Sequence, residues 1–344
     1  MMTTQPIDWY RTPVDKEVLK RFTRKSDLKG WLQAGSFLLV YASTTAAAFY
    51  FFRQRQWLPM VVVCYLHAVF FNFLSMAAAV HELSHGTVFR SRALNEFFYY
   101  LFSFLTWNNP VHFRASHLLH HQLTVHRGRD KEVIQGPVAE RLNWVNYLCW
   151  FTFDALAFVK FIATNLRHAA GKWEADFFFW DPLLTRGDPR RRAMCAWARV
   201  ALVAHLLLLG VFIYFRLWVL IYLVSFGSFF ASFLAKFCGA LQHTGLGQSA
   251  PDWRLVCHTV RFGPLLRYLY WNMNLHATHH MYAAVPCYNL PRFHEEVRHD
   301  LAVAQPGFLA ALGLLLRIKR KQREDPEYIH VPEFPATAAP PRWK

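Results

Sequence analysis

The strongest constraint on this chain is a pair of long uncharged runs with almost nothing between them. Residues 31–52 and 57–80 contain no Asp, Glu, Lys or Arg, and only the turn from Arg53 to Gln56 divides them. A helix rises about 1.5 Å per residue, so a run of about 20 apolar residues matches about 30 Å of bilayer hydrocarbon. Inside lipid every backbone amide must find its partner within the protein, which a helix achieves within its own segment. Two such runs side by side therefore predict a helical hairpin across a membrane. Residues 197–215 and 218–238 repeat the arrangement around Arg216, with Arg199 and Lys236 near the ends, where long side chains can reach the interface. The expected fold is an all-α integral membrane protein with two transmembrane helical hairpins, hence four spans.

Charge placement predicts the orientation. The formal net charge is +16, with seven Lys and Arg before residue 31, fourteen between 81 and 195 and twelve after 238. The two turns between paired spans hold only Arg53, Arg55 and Arg216. Basic residues concentrate on the cytoplasmic side of membrane proteins, so both termini and both large polar regions are expected there. The same topology accounts for the basic balance without a nucleic-acid partner. The first thirty residues are polar and basic, and the first apolar run is long and has no small-residue cleavage pattern, unlike a signal peptide. Six cysteines include no C-x-x-C pair, which argues against a disulfide framework or a rubredoxin-type iron site.

Other apolar stretches do not fit a simple crossing. Residues 96–109 are too short, and 144–166 contain Asp154 and Lys160, so both are expected to be interfacial or re-entrant. Residues 308–316 form a short apolar helix, and the basic run Arg317, Lys319, Arg320, Lys321 and Arg323 that follows suits a headgroup layer. The proline-containing tail beyond Asp325 lacks periodicity and is expected to be extended or mobile. The chain thus divides into an N-terminal cytoplasmic segment (1–30), a membrane domain (31–300) with a histidine-rich helical cap, and a basic, Pro-containing C-terminal segment (301–344).

Half of the eighteen histidines fall into four short segments beside the ends of apolar elements. These are His81-Glu82-Leu83-Ser84-His85, His117-Leu118-Leu119-His120-His121, Gln242-His243-Thr244-Gly245 and His276-Ala277-Thr278-His279-His280. Helical positions i, i+3 and i+4 share a face, so each H-x-x-H-H box offers three imidazoles to one place. Nine imidazoles (His81, His85, His117, His120, His121, His243, His276, His279 and His280) exceed the three or four protein ligands of a single zinc and imply at least two metal ions. Imidazole alone does not name the metal. The first box also reads H-E-x-x-H, the pattern of a zinc protease with Glu82 as base, but that reading leaves the later boxes unused. A metal transporter would place its ligands at mid-membrane, whereas these lie at span ends. His67 and His205 lie inside spans and are expected to be packing residues; His112 and His126 flank the second box. Glu82, Asp130, Asn272 and Asn274 are candidates to orient the imidazoles from behind.

At these residues the sequence resembles the membrane fatty acid desaturase and hydroxylase superfamily over roughly residues 30–300. The segment from Asn274 to Pro291, N-L-H-A-T-H-H-M-Y-A-A-V-P-C-Y-N-L-P, is similar to the third histidine box and its continuation in bacterial acyl desaturases. F-R-A-S-H-L-L-H-H, followed by T-V-H-R-G-R-D, resembles the second box with its trailing acidic position, here Asp130. His243 stands where the family carries an additional ligand; Ala283 and Lys131 stand where many members have proline. The resemblance implies a di-iron centre of two Fe ions, with O2 as co-substrate, oxidising an unactivated C–H bond. It implies desaturation of an acyl chain, with hydroxylation as the alternative outcome of the same oxidant. No haem, rubredoxin or dinucleotide motif is present, so an external electron carrier of ferredoxin, rubredoxin or cytochrome type, with its reductase, is also implied.

Overall fold

The computed structural model describes residues 7–126, 129–130, 132–133, 144–172, 183–184 and 187–343. Lys131 lies outside them. The fold is helical, with no β-strand among the described residues and only three isolated bridges. Two compact units divide the chain, one made of Asp27–Ala115 and Leu142–Lys236, the other of Met1–Ser26, Ser116–Arg141 and Phe237–Lys344.

The first unit holds the long apolar helices. Asp27–Arg53, Trp57–Ser84 and Arg190–Tyr214 are each long and apolar enough to cross a membrane. Many of their large side chains, Leu39, Leu58, Leu66 and Leu206 among them, are exposed, as lipid-facing residues would be. Ser36–Arg53 packs against Trp57–Phe71, as a hairpin requires, and Ala155–Ala169 packs against Arg190–Tyr214.

Residues 218–238, expected as one span, are not one helix. The apolar helix Trp218–Phe229 is shorter than a span, Phe230 is extended and bridges Phe153, and a helix resumes at Phe233–Ala240. The break is satisfied from outside the segment: Ala231 donates to the Thr152 carbonyl, and Asn72 Nδ2 donates to that of Phe230. The π-helical turn Ile221–Phe226 has a similar cause. The Leu223 carbonyl accepts from the Tyr41 hydroxyl (3.2 Å) and lies 3.0 Å from His67 Nε2, giving polar groups within apolar helices a partner. His205 likewise meets Ser225 Oγ and the Phe104 carbonyl. Both histidines are packing residues.

The stretch 144–166 is two helices, Trp144–Phe151 and Ala155–Ala169. Asp154 divides them because its carboxylate caps the second helix through the Ala157 amide. It also pairs with Lys236 and accepts from Ser232, so this acid is buried and paired rather than turned to an interface.

The second unit is organised around a buried arginine. Arg254, fully buried, donates to both carboxylate oxygens of Asp252 and, at 2.7 Å, to Asp300 Oδ1. Tyr10 and Thr12 donate hydroxyls to Asp300 at 2.8 and 2.7 Å, while Arg254 also donates to the carbonyls of Ala339 and Pro340. Segments from both ends of the chain are thereby tied to one ion-paired centre. The tail beyond Asp325 carries no helix, in line with expectation, but it is held in place.

Candidate metal centre

The helix His276–Met281 lies in the second unit, and every one of its residues is buried. The adjoining turn of Pro110–Leu123 presents His117, His120 and His121. Gln242 and His243 follow the helix Phe233–Ala240, and the chain then turns at Gly245, whose φ is +77°. Any Cβ there would lie 2.2 Å from Ile318, so glycine is required both for the turn and for the approach.

Four imidazoles, His120, His243, His276 and His280, are buried and bring their ligand nitrogens within 4.8 Å of one another. His117, His121 and His279 converge in the same manner. The rings of His121 and His280 stack with centroids 4.1 Å apart. On the membrane-helix unit, His81 projects from Ala79–Ser84 and His85 follows as its C-cap, with ring centroids 5.5 Å apart. The end of that short helix is held by Asn95 on the Leu83 carbonyl and by Arg114 on that of Ser84, with Arg114 itself paired to Glu96 through two hydrogen bonds.

Partners behind the rings decide which nitrogen faces inward. His243 Nδ1 donates to the Val256 carbonyl at 2.7 Å, and His280 Nδ1 lies 3.2 Å from Thr124 Oγ1. The Thr124 hydroxyl donates to the His120 carbonyl, so it accepts the His280 proton. His120 Nδ1 is 2.8 Å from Asp130 Oδ2, and His117 Nδ1 is 3.1 Å from Glu132 Oε1. With their protons on Nδ1, these rings turn bare Nε2 lone pairs toward one another.

That arrangement fits a cation. His276 Nε2 is 2.9 Å from His243 Nε2 and 3.0 Å from His280 Nε2, and a single proton on His276 could serve only one of them. His117 and His121 Nε2 are 3.1 Å apart. Two nitrogens bound at about 2.1 Å to one ion lie about 3.0 Å apart at a right angle and about 3.4 Å apart at a tetrahedral angle. The observed spacings are of this order, so the nitrogens are placed as ligands of one ion could be.

Electrostatics favour the neutral imidazole at His243 and His280. Burial lowers His243 to about 3 and holds His280 well below the usual histidine value. Burial opposes charge on His120 too, but Asp130 outweighs it and raises the imidazole, while the same pairing lowers Asp130. Trp253, itself buried, packs against His280 at 5.1 Å and is covered by Trp9, stacked at 3.7 Å, which keeps water from this side.

Of the residues expected behind the imidazoles, Asp130 holds one. Glu82 accepts from the Thr87 hydroxyl, and Asn272 and Asn274 donate to the carbonyls of Cys287 and Val260, fixing the loops that lead into the third box and away from it. Glu132, Thr124 and the Val256 carbonyl were not anticipated. Only Glu132 has a sequence signal, an acid two residues beyond Asp130. His126 meets the Thr124 carbonyl and the Trp9 edge, and His112 lies beside His168.

No curated protein matches the sequence. The family model for fatty acid desaturases matches residues 55–309, which cover all four histidine segments and most of the chain. With apolar helices of spanning length and clustered imidazoles able to hold metal, the chain belongs to the fatty acid desaturase family and is a membrane oxidoreductase.

Proposed function

We propose that the protein is an O2-dependent acyl-chain desaturase that holds two iron ions on nine histidines. His120, His243, His276 and His280 hold one iron, and His117, His121 and His279 belong to the other; His81 and His85 complete the nine on the strength of the sequence pattern. The observation that carries this reading is the convergence of four buried imidazoles, His120, His243, His276 and His280, whose ligand nitrogens lie within 4.8 Å of one another.

A bound iron pair supplies the reduction of dioxygen and the removal of hydrogen from a methylene group. The chain's residues supply the rest. Asp130 and Glu132 fix the orientation of His120 and His117, Val256 and Thr124 fix those of His243 and His280, and Trp253 shields the centre from water. The substrate is a lipid acyl chain that enters among the apolar helices.

Four spans carry the chain across the membrane as two hairpins, the fourth being the interrupted stretch from Trp218 to Ala240. Both termini and the histidine cap face the cytoplasm, which the distribution of basic residues supports. Electrons come from a ferredoxin, rubredoxin or cytochrome-type carrier and its reductase, attracted by the cationic face.

Protein reconstituted with iron, a reduced carrier and labelled dioxygen in lipid is expected to introduce a double bond into an acyl chain and to release the oxygen as water. A hydroxylated product that retains labelled oxygen would replace desaturation by hydroxylation. Absence of any oxidised chain would remove the lipid reading.

A further inference from the structure

Trp9 and Trp253 stack face to face, with ring centroids 3.7 Å apart and planes within 8° of parallel. Trp253 is 1% exposed and lies 5.1 Å, centroid to centroid, from His280, one of the four clustered imidazoles. Trp9 is half-buried, so the line of rings ends at the surface. Three rings thereby run in contact from the candidate metal centre to solvent. The stack is held firmly: the Trp9 indole donates to the Gln122 carbonyl at 2.9 Å, the Tyr10 amide donates to that of Pro251, and the Tyr10 hydroxyl is tied to Asp300. A cover against water needs only apolar bulk, which leucine supplies; two indoles in face contact bring an electron-rich π-system as well.

Indole is among the side chains most readily oxidised by one electron, because its π-system is delocalised over two rings. The surroundings favour a positive charge on this pair. Asp252 and Arg254 flank Trp253 in the chain, and Tyr10 follows Trp9. The buried network joining them sets two carboxylates, Asp252 and Asp300, against the one guanidinium of Arg254. In a low-dielectric setting that excess of negative charge stabilises a cation beside it. The indole protons have no base to go to: Trp253 Nε1 is buried with no hydrogen-bond partner among the described residues, and Trp9 Nε1 donates to a carbonyl. An electron lost from either ring is therefore replaced without proton transfer, and the positive charge moves between the stacked rings.

We propose that Trp253 and Trp9 form an electron relay that quenches the metal centre when dioxygen has been taken up and no C–H bond is in reach. The proposal rests on the iron reading above, in which a bound iron pair supplies the oxidising power. Reducing dioxygen to two waters takes four electrons and four protons. In desaturation two of each come from the two C–H bonds that break, and the carrier and solvent supply the rest. Without a substrate chain, Trp253 gives up the two missing electrons one at a time, Trp9 replaces each, and all protons come from solvent. Trp9 is re-reduced at the surface by a soluble one-electron donor such as ascorbate or a thiolate, which is itself oxidised. The relay thus spares the imidazoles, which are the nearest groups otherwise open to oxidation.

The test uses the full-length protein, loaded with iron or with zinc, in a fluorinated surfactant whose chains offer almost no C–H bonds. Stoichiometric hydrogen peroxide, which is dioxygen already reduced by two electrons, replaces the carrier. Freeze-quench electron paramagnetic resonance with ring-deuterated tryptophan reads the radical, and peptide mass spectrometry reads which residues end oxidised. The iron form of wild type is expected to give a tryptophan radical and to carry its oxidation on Trp9 ahead of the more exposed Trp343, with ascorbate removing it; the zinc form gives neither. Trp9→Phe keeps a ring that resists oxidation, and damage is expected to move inward, with severalfold more oxidised Trp253 and His280. Trp9→Tyr equally lacks the indole N–H but restores an oxidisable ring, and it returns the damage to position 9. Oxidation that follows exposure, with Trp343 ahead of Trp9, or equal damage at His280 in wild type and both variants, overturns the proposal. The wild-type map alone decides if neither variant folds. Iron content measured on the same samples separates the two readings: iron held without a tryptophan radical removes the relay alone, whereas protein that holds no iron removes the iron reading and the relay with it.

Discussion

Asp130 does more for the centre than its trailing place in the second box suggests. One of its oxygens meets His120 Nδ1 and the Val125 amide, while the other accepts from the amide of Glu132, the residue that in turn meets His117 Nδ1. A single carboxylate therefore orients one imidazole and positions the acid that orients another. Asp130→Asn keeps the shape but loses the charge, and iron affinity measured by chelator competition is expected to fall by roughly 10- to 100-fold, the usual effect of losing a ligand's orienting partner. Unchanged affinity would show that Asp130 serves the fold alone. The imidazoles themselves were legible in the sequence because helical spacing puts each box on one face. Asp130 was legible as the acid trailing the second box. The Val256 carbonyl behind His243 was not, because any residue type supplies a carbonyl and its placement depends on tertiary packing.

Among the elements, the segment after Phe233–Ala240 depends on one backbone conformation. His243 reaches the cluster only because the chain reverses at Gly245, whose carbonyl then accepts from the His330 amide while Ile318 packs against its α-carbon. Gly245→Ala is expected to cost about 1–3 kcal/mol from the left-handed φ alone, with the Ile318 contact adding to it. Thermal unfolding in detergent and iron retention should both drop, and a variant with wild-type values in both would free His243 from this constraint. Helices of spanning length were legible where runs are uniform, as in 31–52 and 57–80. Breaks supported by remote partners were not legible: Asp154, reached by Ser232 and Lys236, stands between two helices in 144–166, and the 218–238 stretch breaks at Phe230, where Thr152 and Asn72 satisfy the freed backbone. Apolar periodicity carries no trace of those pairings.

For the whole molecule, the pattern of charge and apolar length identifies a membrane protein, and the four histidine segments identify the chemistry it can support. What the sequence conceals is the tie between the ends of the chain, made by Tyr10, Thr12, Ala339 and Pro340 through Arg254 and Asp300, since residues hundreds of positions apart leave no local signal. The central claim concerns how many ions the imidazoles hold and of what kind. Metal analysis with Mössbauer spectroscopy of protein purified from iron-supplied cells tests it directly: two irons per chain are predicted for wild type, and one for His243→Ala/His276→Ala, which keeps His117, His121 and His279. A single zinc with no iron, or two irons retained in the variant, would contradict it.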